Sequence, residues 1–117
     1  MTATLSTGRI LRGAFVLAIG LALPVAAQAQ DAKKGEALYT AQKCSTCHAI
    51  AGKGKATGKL DGVGAKLSTE DIKQWIVDPV AAAAKAKSTK KPPMPAKYGK
   101  LPPANIDALV AYMVSLK

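Results

Sequence analysis

Histidine and cysteine are nearly missing from this 117-residue chain, which has one histidine, His48, and two cysteines, Cys44 and Cys47. A zinc site would need further ligands, and none exists elsewhere in the sequence. A thioredoxin-like dithiol should follow a strand and open a helix in a βαβ pattern, yet no stretch shows the alternation of a sheet. Aromatic residues are scarce as well. Beyond Phe15 near the N-terminus there are one tryptophan and three tyrosines, too little bulk for an ordinary core in so short a chain. Arginine occurs only as Arg9 and Arg12. No apolar run reaches the 18 or so residues that favour a membrane span, and no internal repeat is present.

What is there is Cys44-Ser45-Thr46-Cys47-His48, a C-x-x-C-H run. Two thiols three residues apart lie on one side of a helical turn, where both sulfurs reach the two vinyl groups on one porphyrin edge. The next residue, His48, then points its imidazole at the iron. The spacing therefore predicts one c-type haem, bound by thioethers to Cys44 and Cys47 and ligated by His48.

The first 29 residues read as a secretory signal peptide, leaving 30–117 as the functional domain. Arg9 and Arg12 form a positive start, Ala14 to Ala22 is apolar, and Ala27-Gln28-Ala29 places small residues at a cleavage site after Ala29. Pro24 breaks the apolar run; if the leader were kept, it would be an anchor. The two arginines are not adjacent, so general secretion of an unfolded chain is expected, with the protein in the periplasm. Covalent haem attachment outside the cytoplasm agrees with export. Without the leader the chain has 15 lysines against 7 acidic residues, a formal +8. Secretion argues against nucleic acid as the partner of so basic a protein and points to redox proteins with acidic docking surfaces. A monomer is expected, touching membranes only through its partners. With so thin a core, the haem is expected to act as the missing core, and the chain without it to be largely unfolded.

In chain order, Asp31 is a plausible N-cap for a helix to about Lys43, with Gly35, Leu38, Tyr39 and Gln42 on one face. Gly35 inside a helix costs roughly 1 kcal/mol against alanine, which suggests a close approach by the last helix. Ala49 to Ala65, with five glycines, reads as a loop. A second helix begins at Ser68, with Asp71 completing a capping-box variant and Leu67 and Ile72 placed as a staple. Its expected stripe is Ile72, Trp75 and Ile76, with Trp75 a core residue or, alternatively, a haem wall; Pro79 ends it. Val80 to Lys91 reads as an exposed Ala/Lys segment or short helix. The last helix runs from about Pro103 to Leu116, buries Ile106, Leu109, Val110, Met113 and Val114, and sets Tyr112 beside Gly35.

The opposite face of the iron has no second histidine to take. The candidates are Met94, Met113, a lysine, a tyrosine or water. Met94 is favoured because Lys91-Pro92-Pro93-Met94-Pro95 is stiff and extended, while Met113 falls in a helix stripe where packing suffices. The alternative is that Met94 fills a gap beside the haem. A Met/His pair raises the potential and closes the iron.

From about Asp31 to Lys117 the chain resembles the small, single-haem class I cytochromes c of bacteria. The likeness rests on Gly35 and Tyr39 before the C-x-x-C-H run, Leu60-Asp61-Gly62-Val63-Gly64, Trp75 to Pro79, Met94-Pro95, and Leu109-Val110-Ala111-Tyr112. It implies an all-α, cytochrome c-like fold of about three main helices and loops wrapped around one haem c. It also implies thioethers at Cys44 and Cys47, iron ligation by His48 and Met94, and a helix contact of Gly35 and Tyr39 with Leu109 and Tyr112. In one respect the chain departs from that family. A Gly-Pro pair commonly precedes the Leu-Asp-Gly segment and supplies the carbonyl bonded to the iron-ligating histidine; here Gly58 is followed by Lys59.

The expected role is single-electron transfer between periplasmic or membrane-bound partners, not catalysis. Lys43, Lys53, Lys55, Lys85, Lys87, Lys90, Lys91 and Lys97 are the candidates for steering acidic partners. Two alternatives stand beside it: a haem subunit of a larger oxidoreductase, and an open iron site that binds peroxide or a small gas. The second lacks a distal histidine or arginine, both arginines being in the leader.

Overall fold

The computed structural model describes residues 25–117. The charged and apolar parts of the expected leader lie outside the described residues. The architecture is all-α, as expected, with three principal helices: α1 (Val25–Ala41), α3 (Thr69–Val77) and α5 (Pro103–Ser115). Two shorter helices, α2 (Val63–Lys66) and α4 (Pro79–Lys85), fill the connections.

Helix α1 begins ahead of the expected start. Asp31 lies inside it rather than at its N-cap, because Val25 to Gln30 contains no helix breaker after Pro24 and is rich in alanine. In the full chain the helix is unbroken at Ala29. Its principal packing partner is α5. The two backbones meet at Gly35, where a Cβ would collide with the Ala108 carbonyl oxygen and come within 2.6 Å of the Tyr112 Cβ. One turn later the Tyr39 and Tyr112 rings meet edge to face, with centroids 5.9 Å apart and planes at 71°. Burial pushes the Tyr39 phenol up to about 12, with Cys44, Tyr112 and Asp61 adding to it. Gly35→Ala is therefore expected to destabilise the protein by about 1–3 kcal/mol, although alanine is the better helix former. A lower denaturant midpoint with unchanged m-value would show it; an unchanged midpoint would contradict the close crossing.

Ser68 caps α3 as expected, its hydroxyl accepting the Asp71 N–H at 3.1 Å. The Lys85 ammonium, 2.6 Å from the Asp71 carboxylate, and the Ser68 hydroxyl hold that carboxyl below its usual range. The hydrophobic half of the cap is weaker, since Leu67 is exposed. Ile72 and Ile76, one turn apart, are buried, but Trp75 is only half-buried and does not join the core cluster. A core role for Trp75 is thus corrected: the buried stripe of this short helix is just wide enough for the two isoleucines. Pro79 ends α3 by opening α4, and Asp78 caps the new helix through the Ala81 N–H at 3.0 Å. The segment from Val80, expected to be exposed or a short helix, thus starts as a helix and buries Ala82 behind the buried Pro79.

The glycine-rich loop also holds more order than expected. Ala49–Ile50 (β1) and Lys53–Gly54 (β2) form a minimal antiparallel pair, joined by Ala51 and Gly52 at φ 50° and 75°. Positive φ at both positions is the type I′ hairpin turn. The Asp61 carboxylate steadies it by accepting the Ala51 N–H at 2.8 Å.

The core gathers where α1, α3 and α5 meet: Tyr39, Ile72, Ile76, Ile106, Leu109, Val110 and Met113. Half-buried residues pack against it, among them Leu38, Cys44, Ile50, Leu60, Val63, Tyr98 and Leu101.

Candidate functional site

The site begins where α1 stops. Lys43 adopts a left-handed conformation, φ 57°, which turns the chain out of the helix. A 3-10 turn, Cys44–Thr46, follows, and the Cys47 and His48 N–H groups both donate to the Cys44 carbonyl, at 3.1 and 3.0 Å. One tight turn thus carries both thiols and the imidazole. Cys44 is half-buried at the edge of the core, Cys47 is exposed, and both are free thiols. Burial pushes the Cys44 thiol up, while its own backbone hydrogen bond and the Lys97 ammonium oppose that.

The His48 ring is half-buried, with Nδ1 3.0 Å from the Gly58 carbonyl oxygen. A carbonyl only accepts, so Nδ1 carries the proton and Nε2 keeps the lone pair. Fixing the outer nitrogen in this way is how proteins set the tautomer and orientation of a metal-ligating histidine.

The supporting carbonyl belongs to Gly58 itself, in the 3-10 turn Ala56–Gly58, and not to the following residue. A Cβ at Gly58 would collide with the Cys47 carbonyl oxygen and lie 3.2 Å from His48 Nδ1. Proline is therefore excluded at Gly58 on steric grounds. The turn is fixed instead from its far side, where the Leu60 N–H donates to the Ala49 carbonyl at 2.9 Å and Ala49 bridges Lys59. Ala49 is adjacent to His48, so the histidine and its acceptor are tied by backbone on both sides.

The structure brings Cys44, Cys47 and His48 together and leaves Met94 on a separate strap. Met94 is half-buried, in an extended stretch between α4 and the 3-10 turn Ala96–Lys100. Two lysines link this region to the site, one from the strap and one from the turn that follows it. Lys97 lies near enough to act on the Cys44 thiol, and the Lys90 ammonium donates to the Thr57 carbonyl at 3.2 Å. Met113 is buried in the core cluster, the packing role expected of it. Sequence reasoning assigned Lys43, Lys90 and Lys97 only to a charged surface; nothing in the sequence marks a lysine for positive φ or for a particular carbonyl.

These residues fit a covalently attached haem. Among the described residues no three histidine, cysteine, aspartate or glutamate side chains converge as a metal cluster, which leaves zinc without a ligand set. The donor set instead pairs two free thiols with one imidazole whose Nε2 makes no hydrogen bond among the described residues, and Cys44 itself packs against the core cluster, as do the half-buried Ile50, Leu60, Val63, Tyr98 and Leu101. Tyr39 adds a buried hydroxyl with no hydrogen-bond partner.

The family model described as Cytochrome c matches residues 32–117. No curated protein and no solved structure matches the chain.

Proposed function

Because the chain belongs to the cytochrome c family, we propose that it is a single-electron carrier with one haem c, joined through Cys44 and Cys47 and ligated by His48 and Met94. Haem-based electron transfer is what the family does. A bound haem supplies a one-electron iron couple; the rest is the work of the chain. The observation that carries the reading is the 3.0 Å bond from His48 Nδ1 to the Gly58 carbonyl, which presents Nε2 from the same turn as two free thiols.

Each residue has a distinct task. Cys44 and Cys47 fix one edge of the ring against the core margin. His48, oriented by Gly58, holds the iron from one face. Met94, presented by its prolines, closes the other and keeps exogenous ligands out, which suits electron transfer rather than ligand chemistry. Cleavage after Ala29 and release to the periplasm belong to the same proposal, since attachment needs an exported, unfolded chain.

Charge placement supports docking by acidic redox partners. Two ion pairs form among the described residues, Lys73 with Asp107 at 3.0 Å and Lys85 with Asp71 at 2.6 Å, both away from the attachment turn. Lys85 is thereby engaged. Lys43, Lys53, Lys55 and Lys97 are exposed around the turn and its hairpin without such partners. Reduction by an acidic redox protein is expected to slow several-fold between low salt and physiological ionic strength, where the screening length is about 8 Å. A stopped-flow rate independent of salt would remove the steering role and leave the lysines as solubilising charge.

A further inference from the structure

The strap that carries Met94 has few means of holding itself in place. From Ser88 to Pro95 it has no regular secondary structure, and Pro92, Pro93 and Pro95 have no N–H to donate. Among the described residues, Thr89 to Pro95 makes no backbone-to-backbone hydrogen bond. Its lower end leaves α4 through the Ser88 N–H to the Ala83 carbonyl, 2.9 Å, and its upper end enters the Ala96–Lys100 turn, where Tyr98 packs against the core. Between these ends one side chain reaches across to the body of the protein. Lys90 Nζ donates to the Thr57 carbonyl at 3.2 Å, while the Lys90 N–H donates only to the Ser88 hydroxyl, at 3.4 Å. Lys91, on the same strap, and Lys87, just before it, make no comparable side-chain bond among the described residues.

Thr57 is adjacent to Gly58, the residue whose carbonyl holds His48. We infer that Lys90 is a positioning residue, which fastens the Met94 strap to the turn that orients His48 and so joins the supports of the two iron ligands into one unit. This rests on Met94 being the second ligand. The bond is exposed, so its effect is on how often the strap lifts, not on whether the domain folds. An ammonium-to-carbonyl bond at a solvated site should change the lifted population roughly three- to tenfold.

The test uses the oxidised, haem-loaded protein and imidazole, a neutral ligand that enters only when the methionine side opens. Four proteins are compared: the parent, Lys90→Ala, Lys90→Arg and Lys91→Ala. The inference expects imidazole to bind about three- to tenfold faster to K90A, at near-parent rates to K90R and K91A, with the far-red sulfur-to-iron absorption band of the parent retained at rest in all four. Equal rates in K90A and the parent would overturn it. So would equal acceleration in K90A and K91A, which would mean a general charge effect. A parent protein lacking the far-red band would instead remove the Met94 assignment, and this inference with it.

Discussion

A chain with Cys44→Ala and Cys47→Ala is expected to lose most of the helical circular dichroism of the haem-loaded protein and to melt without a cooperative transition. Among the described residues no large side chain falls below 2% exposure, and of the ten buried hydrophobic residues three are alanine. Ile50, Leu60, Val63, Tyr98 and Leu101, which pack against that cluster, are only half-buried. Domains this small ordinarily need a staple or a metal to reach the 5–15 kcal/mol of a stable fold. In the proposed reading two thioethers would make a ring of large apolar area a permanent part of the core, so removing both thiols would remove core and crosslink together. Far-ultraviolet circular dichroism and a thermal melt check this. A native-like spectrum with a sharp transition would show that α1, α3 and α5 suffice without the ring.

Met94→Ala is expected to abolish the far-red sulfur-to-iron band, lower the reduction potential and turn a reduced protein that excludes carbon monoxide into one that binds it fully. A thioether favours reduced iron, and its loss moves the potential downward by about 59 mV for each tenfold change in relative affinity for the two oxidation states. Met113→Ala provides the contrast. Met113 is 7% exposed within the core cluster, so its truncation should cost about 2–5 kcal/mol of stability while leaving the band in place. Titration with carbon monoxide, the visible spectrum and a denaturation curve separate the two variants. A band that survives in M94A and vanishes in M113A would reverse the assignment. Lys90 is relevant here, because a strap held at its two ends and by the Lys90 bond to Thr57 should tolerate loss of the Met94 side chain without disturbing α4 or the Ala96–Lys100 turn.

Several features were legible before any coordinates. The C-x-x-C-H run pointed to a haem because three chemistries at fixed spacing leave few alternatives, and the cytochrome c family match agrees with a haem protein. Gly35 announced a close helix crossing because a glycine in a helix interior is otherwise a loss, and the crossing with α5 at Ala108 and Tyr112 is where it was expected. Ser68 declared its helix through a cap that is local in sequence. Other features were illegible for equally physical reasons. The β1–β2 hairpin turns on Ala51 and Gly52, and alanine at positive φ carries none of the Asn-Gly or Asp-Gly signal; it is held there by Asp61, ten residues away. Trp75 fits the helical period of a buried stripe, but period alone does not say how wide the covered face is.

The sequence by itself determined the all-α class, the α1–α5 crossing and the basic balance of the chain, and it supplied the spacing on which the proposed attachment rests, since each depends on residue type and short spacing. The tertiary structure alone decided which carbonyl orients His48. Gly58 takes that place because a side chain there would strike the Cys47 carbonyl, and Ala49 anchors the turn behind it. It also decided that Lys90 crosses from the Met94 strap to Thr57, a contact 33 residues distant. Both are meetings between loop backbones far apart in the chain, and such meetings leave no periodic trace in a sequence.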